Sequence, residues 1–398
     1  MNDDERDPEG GSFTRRQALE SLALGAAVVL PACQNNVAAS RAAARAGRED
    51  VVLGIDPLVA GVPWPTLDPF LFCVHHDDAY PAGNDKLGPA ASLVGREMGQ
   101  DFAGPPGSEG GWRMYHGGLV PGFPQHPHRG FETITVVQHG LVDHSDSLGA
   151  TARYGAGDTQ WLTAGAGIVH AEMFPLLERG APNPLELFQI WLNLPRASKF
   201  VAPHFMMLWR NGVRPLTTAD AAGRRTTTTV VAGALAAGEG GFAGAAGAHV
   251  PPDSWAARAE NQVAVATLSM DAHARITLPQ ALPGVNRAIY CYRGAGCNVG
   301  TRLLPPANRA RVRTDVPVVL ENGPVAGELL LLQGRPIDEP VVQYGPFVMN
   351  TRAEIEDAFA DYRRTGFGGW PWPSPEPVHA RNDGRFAVHA DGRREKAG

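Results

Sequence analysis

The sequence predicts an all-β protein: two strand-built lobes in tandem, followed by one short C-terminal helix. Three observations carry that expectation. Gly (47) and Pro (34) are abundant enough to cut the chain into short segments, which suits strands joined by turns rather than long helices. Short runs such as Thr133-Ile134-Thr135-Val136-Val137 and Leu187-Phe188-Gln189-Ile190-Trp191-Leu192, bounded by Gly, Asp and Pro, read as strands, and a second strand-rich region follows. The chain has 398 residues, too many for one ordinary core and enough for two compact lobes with appendages.

Composition narrows the function classes. A hydrophobic share of 43% against 19% charged residues predicts a packed protein rather than a disordered one. The net charge of -6, with no basic block, argues against nucleic-acid binding. Four cysteines, Cys33, Cys73, Cys291 and Cys297, form no CxxC pair, so neither a zinc knuckle nor a disulfide framework is indicated. Cys291 and Cys297 are read as two ordinary thiols in preference to a pair across a short turn.

Each element follows in order. Residues 1–33 read as an export signal: Arg15-Arg16 precede a short apolar stretch from Leu22 to Leu30 and then small residues. That stretch is too short to span a bilayer. The arginine pair points to the twin-arginine route and thus to the periplasm or cell envelope, with a cytoplasmic location as the alternative. Leu30-Pro31-Ala32-Cys33 resembles a lipobox, which would anchor the chain through lipid on Cys33; cleavage near Val37-Ala38-Ala39 competes with it. An Ala/Arg-rich linker spans 34–50. The first lobe is placed at 51–195, with a strand at Phe70–Val74, a long loop at 77–113 and a turn at Gly155-Ala156-Gly157-Asp158. The second lobe is placed at 196–367. It carries an Ala/Gly segment at 232–248, expected as a flexible surface excursion, and strands around Val263–Leu268, Ala288–Tyr292 and Leu329–Leu332. Thr351 with Glu354 makes a capping box for a helix through about Arg363, its apolar face formed by Ile355, Ala358, Phe359 and Tyr362. The Pro- and charge-rich tail, 368–398, is expected to be disordered.

The chemistry concentrates in two short segments. His126 and His128 stand at i and i+2, a spacing that points both imidazoles to one face of a strand. His170 and Glu172 repeat the arrangement beside a Gly-rich turn. Two such pairs on facing strands converge inside a barrel. Three neutral imidazoles and one carboxylate suit a divalent first-row metal with positions left open. Glu172 is also a candidate catalytic group. Glu132, four residues after His128, shares the histidine face if the strand is unbroken. It is then a ligand or a catalytic partner bonded behind the ligands, or else an acid that orients Arg129 or a neighbouring strand; the place behind the ligands is preferred. His75, His76, His116, His139 and His144 are assigned surface, turn or core roles, with His139 and His144 the two nearest the predicted site. No HxH pair occurs between 195 and 398, so the second lobe is expected to hold no metal.

The runs HPHRGFETITVVQHG, GAGDTQWLTAGAGIVHAEMFP, ELFQIWLNLP and QYGPFVMNT resemble the pirin family, in order and over roughly residues 60–365. The resemblance implies two tandem cupin (jelly-roll) barrels, of which only the first holds one metal. The metal implied is Fe(II) above all, with Mn, Co, Ni, Cu or Zn suiting the same donors. It carries the ligand roles onto His126, His128, His170 and Glu172, and places Glu132 outside the ligand set. It further implies a quercetin 2,3-dioxygenase-type oxygenase acting on a small phenolic molecule and O2, with Phe123, Trp161 and Met173 as candidate packing residues. The alternative is a non-enzymatic metal or redox sensor that modulates a partner protein. A monomer is expected.

Overall fold

The computed structural model describes residues 50–102, 111–235, 245–246 and 250–397; the expected export signal, Cys33 and nearly all of the linker lie outside them. The first lobe is built from two facing sheets. Its strands are β2 (Phe70–Tyr80), β3 (Gly122–His128), β4 (Phe131–His139), β5 (Leu141–Asp146), β6 (Thr151–Gly155), β7 (Thr159–Thr163), β8 (Ile168–Met173), β9 (Asn183–Asn193) and β10 (His204–Leu208), after β1 (Val52–Pro57). One sheet runs β10-β7-β4-β9-β2, and the other places β6, β5, β8 and β3 side by side. Strand alternation sends every second residue into the barrel between them.

The lobes exchange their ends, which corrects the expected boundaries. The strand β1 pairs with Asn308–Val312 in the second lobe. Conversely, β10, expected in the second lobe, pairs with β7 of the first. The tail is ordered and crosses back to the first lobe, where Phe386–Val388 pairs with β6. Its composition reads as disorder because its partners are remote in sequence. The guanidinium of Arg153, wholly buried, donates to the carbonyls of His379, Ala380 and Asp383. Arg385 pairs with Asp158 at 2.7 Å. The Ala/Gly segment also differs in part: 232–235 finish the strand Arg225–Leu235. Residues 236–244 and 247–249 lie outside the described set.

The outer face of the β4-β9 sheet packs against the second lobe. Ile134, Val136, Phe188, Ile190 and Leu192 share one buried cluster with Val231, Val265, Tyr290, Leu330 and Leu332. The helix Arg352–Thr365 has its capping box at Thr351 and Glu354, and ends on Gly366 in the left-handed region. Ile355 and Ala358 are buried against the hairpin strand Phe347–Met349, with Phe359 and Tyr362 packed beside them. That hairpin reaches the first lobe at Arg129, whose backbone N–H and C=O bond to Pro346 and Val348.

Candidate metal centre

Register builds the site. Strands β3 and β8 run antiparallel, with His126 opposite His170 and Phe123 opposite Glu172. The three imidazoles converge at steep angles into one group: ring centroids are 4.8 Å apart for His126 and His128, 4.4 Å for His126 and His170, and 4.9 Å for His128 and His170. One nitrogen from each lies within 4.8 Å of the others. His128 packs edge-on against the stacked pair Phe131 and Trp191, at 5.1 and 5.2 Å.

The hydrogen bonds fix which nitrogens are free. A carbonyl can only accept, so His126 Nδ1, 2.8 Å from Pro124 O, carries the hydrogen. His128 Nδ1 donates in the same way to Pro346 O at 3.3 Å. Both rings therefore present Nε2 as a lone pair, the arrangement that second partners impose on ligating histidines. His170 is fully buried, and neither of its nitrogens has a partner. Burial holds all three rings neutral: His126 is pushed down to about 4, and His128 and His170 well below the usual histidine range. Buried polar atoms seldom go unpaired, so the orphaned nitrogens of His170 between two oriented imidazoles fit a cation.

Glu172 lies on the inward face two residues beyond His170, and its carboxylate is held to one side. Gln189 Nε2 donates to Oε2 at 2.8 Å, and the Thr135 hydroxyl lies 3.2 Å from Oε1. Burial raises its pKa, opposed first by His144 and then by those hydrogen bonds. Its oxygens are not among the donors gathered within 4.8 Å.

Glu132 is corrected. The strand does not continue from His128: Arg129 and Gly130 make the β3–β4 turn, with Gly130 at φ 87°. An added Cβ there would meet Val348 O at 2.0 Å, so only glycine allows this close approach to the second lobe. The break resets alternation and turns Glu132 outward with Ile134 and Val136. Its carboxylate accepts from Thr163 at 2.7 Å and from Ser254 of the second lobe at 2.5 Å. Burial pushes its pKa up to about 7. It supports the contact between lobes and has no bond to the imidazoles. Trp161 likewise belongs to the cluster between the lobes, and Met173 packs on Leu87 and Val120. Of the three proposed packing residues only Phe123 borders the site, 6.3 Å from the His126 ring. Sequence reasoning missed Phe131, Trp191, Thr135 and Gln189. The alternation of the strand Leu187–Leu192 was the available signal for Gln189 and Trp191, but choosing its inward face needs the pairing with β4.

His75, Asp77 and Glu186 form the other gathering of metal-donor groups among the described residues. Arg293 of the second lobe already occupies it, 2.9 Å from Glu186 and 3.7 Å from Asp77.

Comparison with known proteins agrees with this architecture. A family model described as Pirin matches residues 108–192, and one described as the Pirin C-terminal cupin domain matches 265–368. A Pseudomonas aeruginosa protein, provisionally named a quercetin 2,3-dioxygenase, is 36% identical over 246 residues, covering 62% of this chain and 79% of that protein. Human pirin is 32% identical over 262 residues, 64% of this chain and 80% of its own length. A crystal structure of quercetin 2,3-dioxygenase from Acinetobacter baumannii has a TM-score of 0.59 and 24% identity, covering 80% of this chain and 98% of that one. That likeness establishes the two-barrel fold.

Proposed function

The chain belongs to the pirin family, and on that premise we propose that its first barrel holds one divalent metal and works as a quercetin 2,3-dioxygenase-type oxygenase. The substrate class is a flavonol or related phenolic, with O2 as co-substrate. The observation that carries the reading is His170, buried with both nitrogens unpartnered between two imidazoles that present Nε2. His126, His128 and His170 would hold the metal, with Glu172 as the anionic fourth donor. Fe(II) is the favoured ion, and Mn, Co, Ni, Cu or Zn suit the same donors. When bound, the metal supplies a Lewis acid that favours the ionised form of a coordinated hydroxyl and the redox chemistry O2 needs.

The protein's own contribution is to orient the donors. Phe131 and Trp191 fix the His128 ring, the Pro124 and Pro346 carbonyls fix two tautomers, and Thr135 with Gln189 holds Glu172 ready beside the imidazoles. Phe123, next to half-buried His126, offers an apolar ring to a planar substrate. We further propose export by the twin-arginine route from Arg15-Arg16, with Cys33 as a lipid anchor. Changing both arginines to lysine should strand the precursor in the cytoplasm, and unchanged fractionation would remove that part of the proposal.

The test is oxygen uptake by the Fe(II)-loaded protein with quercetin. Quercetin and O2 should disappear together, and Glu172→Gln should lower the rate further than it lowers metal content. Loaded protein that shifts the flavonol spectrum yet consumes no O2 is a binding or sensing protein, and the oxygenase reading is then wrong.

A further inference from the structure

We infer that His144 is a ligand-binding residue of the first barrel, its Nδ1 accepting a hydrogen bond from a hydroxyl of the phenolic molecule held at the imidazole site. The inference rests on the proposed function and specifies how that same site recognises its ligand. Alternation along β5 turns Val142, His144 and Asp146 inward, and His144 sits directly opposite Glu172 in register. Its ring is fully buried, 5.6 Å from the His170 ring and stacked on Phe205 at 5.1 Å with an interplanar angle of 18°. The side chain is therefore held in one orientation beside the site.

The network sets its tautomer. Asp146 Oδ1 accepts the backbone N–H groups of Leu148 and Ala150 at 2.9 and 3.0 Å. Its Oδ2 lies 3.1 Å from His144 Nε2. A carboxylate so engaged acts as an acceptor, so Nε2 carries the hydrogen. A ring that carries only that hydrogen has a lone pair at Nδ1, and this atom is buried without a partner. Thr133 Oγ1 and Gln160 Nε2, on inward positions of the facing sheet, are also buried and unpartnered. A polar interior left unpaired in this way is matched to a ligand that brings its own donors and acceptors. His144 is not among the nitrogens gathered within 4.8 Å, and with Nε2 engaged by Asp146 its remaining nitrogen is assigned to the bound molecule rather than to the ion. Hydroxyl donors on a planar ring are the chemistry that answers such an acceptor.

The experiment is anaerobic titration of the Fe(II)-loaded full-length protein, followed by visible absorption, with metal content measured alongside. The probes are quercetin against quercetin methylated at every hydroxyl but the 3-hydroxyl, and pyrogallol against 3-methoxycatechol, so that each ether keeps the groups that reach the metal. His144→Phe keeps the ring and its stacking on Phe205 but removes both nitrogens. Metal content should be unchanged, while affinity for the hydroxylated member of each pair falls about tenfold and that for its ether hardly moves. Equal weakening of both members, or none, overturns the assignment. Should His144→Phe strand Asp146 and fail to fold, His144→Phe with Asp146→Asn carries the same comparison. Wild type that binds pyrogallol but no flavonol refutes the flavonol reading alone, and the pyrogallol pair then decides for or against His144. Wild type that binds neither overturns both.

Discussion

The two barrels share one strand plan and differ in what that plan points inward. In the first, β3, β5 and β8 send His126, His128, His144, Asp146, His170 and Glu172 into the interior. In the second, the strand Ala264–Met270 sends Ala264, Ala266, Leu268 and Met270 inward, and they close with Ile289, Cys291, Leu329 and Leu331 into one apolar core. Both gatherings of metal-donor groups among the described residues belong to the first lobe. The same architecture is thus a site in one lobe and a packed support in the other. Function here is written in the alternate positions of a few strands, not in the fold.

The largest expected effect tests which lobe owns the tail. Arg153 is buried in a two-point pair with Asp143, at 2.7 Å for each bond, and holds three tail carbonyls. Arg153→Ala strands that carboxylate and should cost about 3–5 kcal/mol in denaturant unfolding. A loss below about 1 kcal/mol would mean that the tail is not part of the first barrel's structure. Next comes Leu268→Ala, at a position 1% exposed in the second core. It should cost about 2–5 kcal/mol while leaving the metal content of the folded protein unchanged. Metal lost in step with stability would erase the division of labour between the barrels.

A smaller, pH-dependent effect probes the contact between lobes. Burial raises Glu132 from 4.5 to about 7, so folding favours its protonated form. That contribution is fully present below about pH 4.5 and is lost as pH rises through 7. Relative to wild type, Glu132→Gln should therefore gain about 1–3 kcal/mol between pH 5 and pH 8, with metal content unaltered. A stability difference that stays constant over that range contradicts the buried, protonated carboxyl.

What was legible in the sequence was what depends on local spacing. His126 with His128 and His170 with Glu172 could be placed on one face each because alternation within a strand is local. The capping box at Thr351 and Glu354 was legible for the same reason. Glu132 was misplaced because a single turn at Arg129-Gly130 resets alternation, and the close approach of a second-lobe carbonyl to Gly130 is not announced by any local pattern. The inward faces of Trp191 and Gln189 depend on the pairing of β9 with β4. The order of the tail depends on Arg153 and Asp158, more than two hundred residues earlier in the chain. The strand β1 belongs to the second lobe through a partner at Asn308–Val312 that no local pattern announces.

The most direct test of the account is metal stoichiometry after anaerobic reconstitution with Fe(II), measured on wild type, His128→Ala and His170→Ala, with circular dichroism confirming the fold. About one equivalent is expected in wild type and almost none in either variant, while the second barrel remains folded and metal-free. Iron retained by both variants at the wild-type level would show that the imidazole cluster of the first barrel is not the metal centre.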